Sequence, residues 1–482
     1  MKVLRCFSIT VLFLQVVFGP LFPGQSVTAS EKASEWNAGV ASVVITPEDS
    51  MWMAGYAARN KPSEGKVHEL YAKALVLEDA AGTRLVIITT DLIGIPRALR
   101  EGVETAAQQK YNLPQASLLM NASHTHSGPE LRATKASLYG LGADRVSQAR
   151  DYIKRLEAKL VTLIGKAISN LQPADIHYSH ARAGFAMNRR LPTERGFINR
   201  PNPDGPVDQS VPVLRVTDPE GKLQAVLFGY ACHNTTLGFY KFCGDYAGYA
   251  QEYVEAAHPG TVAMFLMGCG GDQNPYPRRT LELAQQHGRS LANAVETTLQ
   301  ALKDKPNPIA GPLRVALEHV TLEFATPPSK EELLKLKESK NKYARRHAEL
   351  LLDILEANGK INTEYPYPVQ VVQFGNDLTL VALAGETVID YSLRLKKELR
   401  TAGKANSPVI WVAGYSNDVF AYIPSLRVLK EGGYEGGGAM QYTPFPGPWA
   451  ESVEDRIIRK VHQLVKQVRN AGKSPQTESS SP

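Results

Sequence analysis

The stretch ASLLMNASHTHSGP, residues 116–129, passes from an apolar run to a cluster of small and polar residues. Its first half, by content, predicts a buried strand, which delivers His124 and His126 to its carboxyl end. Two histidines two apart suit a polar loop as well as the edge of a metal site, so the rest of the chain has to decide.

The same arrangement recurs. VIITTD ends at Asp91, VLFGYAC leads to His233, and FLMGCGGD ends at Asp272. LVALAG leads to Glu386, and IWVAGYSND runs to Asp418 with Tyr422 just beyond. Helical patterns lie between these strands. Their spacing predicts helices over about 99–113, 145–171, 246–257, 280–303, 329–358 and 452–469, the second with an apolar stripe of Tyr152, Leu156, Leu160, Leu163 and Ile164. Turn residues in AAGT and DPEGK predict hairpins, whereas MNRRLPTERGFINRPNPDGP, rich in Pro, Asn and Arg, reads as loop. Alternating strands and helices argue an α/β fold: a single large domain with a mixed sheet covered by helices. Ligands in such folds gather at the carboxyl ends of strands, and the concentration of His and Glu there favours a real site over scattered structural residues.

Composition narrows the class. The 482 residues are 43% hydrophobic and 21% charged, with a net charge of +6 and no basic block, so nucleic acid is not an expected partner. Lys2 and Arg5 precede an apolar run that ends in SVTAS, which predicts a signal peptide over residues 1–29 and a secreted or periplasmic protein. The folded domain is expected over 30–470 and a disordered tail over 471–482. Beyond the signal, Cys232, Cys243 and Cys269 remain; they exclude a disulfide-built scaffold and leave a single Cys232–Cys243 bridge open.

Neutral imidazoles with a carboxylate suit zinc, which acidifies a bound water and polarises a carbonyl, as amide or ester hydrolysis requires. His-x-His at a strand mouth aims both rings to one side. Serine-hydrolase, HExxH and phosphate-loop motifs are absent from the sequence.

At this point the motifs resemble those of the neutral, non-lysosomal ceramidases over about residues 38–450. HTHSGP, ACHNTT, GDYAGYA, LAGET, YSNDVFAYIPS, GYEGG and MNRRLP follow the family's order. The resemblance implies a zinc amidase that cleaves ceramide into sphingosine and fatty acid, with His124, His233, Glu386 and Tyr422 as zinc ligands. It places His126 and Arg189 in the site, to assist proton transfer and hold the substrate oxygen. The alternatives from the residues alone are that His126 only orients His124, that Arg189 pairs with Asp204 or Asp208 in a loop, and that Tyr422 packs as an ordinary tyrosine. Family members carry GDVSPN, with a serine proposed as nucleophile; here GDQNPYP puts Asn274 there. An amide cannot attack a carbonyl, so zinc-bound water becomes the expected nucleophile, and Asn274 either donates to the developing oxyanion or only forms a turn before Pro275. Family members usually continue into a β-sandwich domain; the expectation here is a chain without it, whose contact with lipid aggregates differs. The expectation is therefore an exported zinc amidohydrolase of an N-acyl amide lipid. Its rivals are a zinc hydrolase of another amide or ester and a non-catalytic binding protein that keeps the fold.

Overall fold

The computed structural model describes residues 35–400 and 408–471. The expected signal peptide and the tail beyond Ala471 lie outside the described residues. None of the described helices is long and apolar enough to cross a membrane.

Two large mixed sheets, rather than one, form the frame. The first has eight strands in the spatial order Val262–Met267, Leu223–Tyr230, Ser210–Thr217, Gln172–Arg182, Trp36–Val44, Tyr71–Asp79, Arg84–Thr90 and Leu118–Ala122. Its neighbours are antiparallel except for the outermost pair at each edge. The second sheet orders Leu313–Glu323, Glu364–Phe374, Leu378–Leu383 and Val409–Ala413, with only the last pair parallel.

Side-chain alternation explains why the strands read as unbroken apolar runs. Along Tyr71–Asp79, Ala74 and Val76 face helices Arg97–Tyr111 and Ala143–Ser169, while Leu75 and Leu77 face the other sheet, against Phe374, Leu380 and Trp411. Both faces are therefore dry. Helices Asp245–Ala257 and Leu281–Asp304 cover another part of the first sheet, and Ile389–Glu398 and Val453–Asn470 cover the outer face of the second. The result is four layers, helix–sheet–sheet–helix. A single apolar pattern cannot separate one sheet buried on both faces from two sheets stacked on each other, which is why the second sheet escaped the sequence reading.

The AAGT and DPEGK hairpins form as expected, with Gly82 and Gly221 at positive φ in their turns. MNRRLPTERGFINRPNPDGP does not stay a loop. Ala186–Thr193 and Gly196–Asn202 form a hairpin that pairs with Gln273–Pro275. Its polar residues conceal the strand because Asn188, Arg189 and Arg190 are buried against polar partners instead of apolar ones. The helix expected over 329–358 is two, Lys330–Leu336 and Lys342–Asn358. The Asn341 side chain accepts from the N–H groups of Tyr343 and Ala344 and restarts the second. All three described cysteines are buried and free, so the Cys232–Cys243 bridge does not form.

The sheets are tied together where their strands end. Asn121, fully buried, donates to the Gly414 carbonyl at 2.8 Å and accepts from the Met267 N–H at 2.8 Å. One amide thus joins the ends of three strands from both sheets.

Candidate metal centre and substrate cavity

Just beyond Asn121 the chain turns sharply at His124, whose φ is +62°. This left-handed geometry is costly for a residue with a Cβ and persists only where the surroundings enforce it. The His124 N–H donates to the Leu92 carbonyl at 2.9 Å, and its Nδ1 lies 2.5 Å from the Ile93 carbonyl. His233, leaving the Leu223–Tyr230 strand, places its Nδ1 2.6 Å from the Gly270 carbonyl. A carbonyl only accepts, so each ring carries its proton on Nδ1 and turns a bare Nε2 inward. This is the backbone support that metal-binding imidazoles commonly receive.

The bare nitrogens converge. His126 Nε2 is 3.3 Å from His124 Nε2. Glu386 Oε2 is 3.2 Å from His124 Nε2 and 3.3 Å from His233 Nε2, and it is a buried oxygen without a hydrogen bond. The Tyr422 hydroxyl lies 3.2 Å from His233 Nε2. Three imidazoles alone make a group able to hold a metal ion. Donors each about 2.0–2.1 Å from a tetrahedral zinc are spaced about 3.3 Å from one another, the spacing found here. A Glu386 oxygen facing the bare nitrogens of His124 and His233 in a dry site calls for a cation. Burial, with His124 and His233 beside it, holds His126 well below the usual imidazole range, and burial, with Arg189, pushes His233 down to about 3.

Backbone pairing places two of these groups. Glu386–Thr387 and Tyr422–Ile423 form a two-stranded parallel ladder in which Glu386 and Tyr422 are register partners. Arg189 stands behind Tyr422. It occupies the irregularity between Asn188 and Arg190 in the hairpin register, a bulge that re-aims its side chain. Its Nη2 donates to the Tyr422 hydroxyl at 2.9 Å, its Nε to Glu435 Oε1 at 2.8 Å, and its Nη1 to Asn274 Oδ1 at 3.3 Å. It does not pair with Asp204 or Asp208. Glu435 also takes Arg190 Nη1 at 2.7 Å, so one buried carboxylate restrains two guanidinium groups.

A cavity of about 250 Å³ opens over the cluster and is lined by His124, His126, Glu386 and Tyr422. Much of its wall is aromatic or apolar, including Tyr56, Ile93, Phe420 and Tyr434. Neither Arg189 nor Asn274 lines it. Asn274 is buried, and its Oδ1 accepts from Arg189 and from the Thr235 hydroxyl at 3.0 Å. Arg189 reaches the cavity only through the Tyr422 hydroxyl, and Asn274 meets Arg189 in turn.

Gly55 sets the place of His126. At φ +91° it lies so close that a Cβ there would stand 2.3 Å from His126 Nδ1. Glu435, Asn121 and Gly55 went unselected in the sequence. GYEGG and MNASHTH contain the first two, but only a buried polar residue's partners reveal its role. Gly55 in MAGYAA carries no signal at all.

The same architecture exists in proteins of known structure. The chain is similar to the crystal structure of neutral ceramidase from Pseudomonas aeruginosa, with a TM-score of 0.69 at 21% identity, over 90% of this chain and 75% of that one. A ceramidase complexed with C2 superposes equally well, at 0.69 and 20% identity, over 89% and 76%. By sequence, the neutral ceramidase of Pseudomonas aeruginosa is 22% identical over 496 aligned residues, which cover 87% of this chain and 70% of that protein. Neutral ceramidase B of Dictyostelium discoideum is 27% identical over 250 residues, 47% of this chain and 33% of that protein. Residues 36–276, half of the chain, match the family model described as neutral/alkaline non-lysosomal ceramidase, N-terminal. The chain belongs to the neutral/alkaline non-lysosomal ceramidase family.

Proposed function

We propose that the protein is an exported zinc-dependent amidohydrolase that cleaves the amide bond of a ceramide-like N-acyl lipid. The observation that carries this reading is the convergence of bare imidazole nitrogens and the Glu386 oxygen on one point, beneath an aromatic-walled cavity. His124, His233, Glu386 and Tyr422 would hold the zinc. Bound there, zinc polarises the scissile carbonyl and supplies an acidified water.

The chain's own residues do the rest. Ile93 and Gly270 fix the two ligand rings through their Nδ1 protons. Arg189, braced by Glu435, holds the Tyr422 hydroxyl toward His233, and Asn274 holds Arg189 in turn. His126, kept neutral by burial, faces the cavity and is free to take a proton and return it to the leaving amine. The apolar wall takes the acyl chain and excludes water from the reacting carbonyl. Because Asn274 cannot form an acyl-enzyme, turnover proceeds without a covalent intermediate at that position.

The test is hydrolysis of a short-chain fluorescent ceramide by the purified protein, before and after chelation and zinc return. Zinc-restorable turnover that His124→Ala abolishes together with bound zinc is expected. Full turnover by the chelated protein, or by His124→Ala, would sink the assignment.

A further inference from the structure

The cavity carries a positive charge that the protein leaves uncompensated. Two cationic side chains line it, Arg132 and Lys135. Arg132 donates Nε to Glu130 Oε1 at 2.7 Å and Nη2 to Oε2 at 2.8 Å, a two-point pair that occupies both carboxylate oxygens. Lys135, on the short helix Ala133–Tyr139, is partly buried and makes no hydrogen bond or ion pair with any described residue. The carboxylates that act on its charge are Glu130, already committed to Arg132, and Glu386, which belongs to the donor cluster. Burial, aided by Arg132, pushes the Lys135 ammonium down to about 8, still cationic at neutral pH.

The same wall presents the hydroxyls of Tyr139, Tyr434 and Tyr442, none of which donates to a described group. The Lys135 ammonium, which can only donate, thus lacks an acceptor on this wall. An ammonium partly withdrawn from water without a counter-charge is destabilising, and a bound anion offsets that cost. An acyl chain offers these donors nothing, so the group they meet belongs to the amine half of the substrate.

We infer that Lys135 is a specificity-determining residue that recognises a carboxylate on the amine side of the scissile amide, making N-acyl amino acids better substrates than neutral N-acyl amines. This rests on the reading of the site as an N-acyl amidase. Such a substrate places its acyl chain against the apolar wall and its carboxylate on Lys135, with the amide between them.

The experiment compares N-dodecanoylglycine with neutral N-dodecanoylethanolamine in the wild type, Lys135→Gln and Lys135→Arg. The wild type is expected to favour the carboxylate substrate. Lys135→Gln should raise its KM by about tenfold or more, as loss of a charge-assisted hydrogen bond requires. The ethanolamide KM should move less than about twofold, and Arg should restore most of the loss. Equal shifts for both substrates, or no wild-type preference, overturns the inference. So does inhibition by free dodecanoate that weakens in Lys135→Gln while the glycine-substrate KM stays fixed, which would assign Lys135 to the acyl product. Unchanged zinc content and thermal midpoint show that the variants fold. If the wild type hydrolyses neither amide, ceramide hydrolysis decides the amidase reading separately. Calorimetric binding of N-dodecanoylglycine then decides the inference: about tenfold weaker binding in Lys135→Gln upholds the anion site, and equal binding removes it.

Discussion

Glu435 is the residue on which the outer layer of the site depends, and Glu435→Gln tests that dependence with little change in volume. The wild-type carboxylate takes Arg189 Nε at 2.8 Å and Arg190 Nη1 at 2.7 Å, with all three side chains buried. The two arginines are not equally exposed to its loss. Arg190 keeps Glu431 Oε2 at 3.1 Å and the Gly432 carbonyl at 3.0 Å. Arg189 keeps only the neutral acceptors Asn274 and Tyr422. One guanidinium is therefore left buried without a counter-charge. Removing one partner of a buried ion pair costs about 3–5 kcal/mol, and the lower end applies because Gln retains an acceptor oxygen and Arg190 retains a carboxylate. Unfolding entropy of about 2.1 cal/mol/K per residue over 482 residues makes 1 kcal/mol worth about 1 °C, so the midpoint should fall by about 3 °C in calorimetry. Turnover should fall by about tenfold as Arg189 relaxes its hold on the Tyr422 hydroxyl. An unchanged midpoint together with unchanged turnover would refute the reasoning, since it would mean the pair restrains nothing.

Two further substitutions separate metal binding from chemistry. His126→Ala should retain stoichiometric zinc by elemental analysis while turnover drops about 10²–10⁴-fold, the range for loss of a general acid–base group; loss of the zinc instead would make His126 a ligand. Gly55→Ala puts a methyl group 2.3 Å from His126 Nδ1 at a backbone angle unfavourable for alanine. A ring displaced by even ~1 Å should cost up to about 100-fold in turnover, again with zinc retained, and wild-type turnover in that variant would show that the ring position is not critical.

How much of this was legible beforehand follows from what each residue packs against. Strand ends carrying His124, His233, Glu386 and Tyr422 stood out because apolar runs stop abruptly at them, and the structure brings those four together. The helix stripe from Tyr152 to Ile164 was legible for the same reason, since burial there follows a 3.6-residue period. The hairpin of Ala186–Thr193 was not, because its buried positions hold Asn and Arg satisfied by residues 84 to 246 positions away. Local pattern carries no trace of such distant partners. Arg189 gathers with the other motif residues yet stands behind Tyr422, because a motif fixes which residues gather and not which of them faces the cavity. Lys135 escaped for the opposite reason: its importance lies in having no partner.

The ladder between Glu386 and Tyr422 has a consequence for how the protein can diversify. Main-chain pairing, not a fitted set of side chains, sets the distance between those two groups. The cavity wall comes mostly from other segments, around residues 55–58, 132–139 and 434–443. Foundations and furnishings are thus drawn from separate parts of the chain. Successive substitutions in the wall can retune which acyl chain or head group is admitted while the donor spacing beneath stays fixed, so substrate range can drift quickly in a lineage whose hydrolytic centre does not.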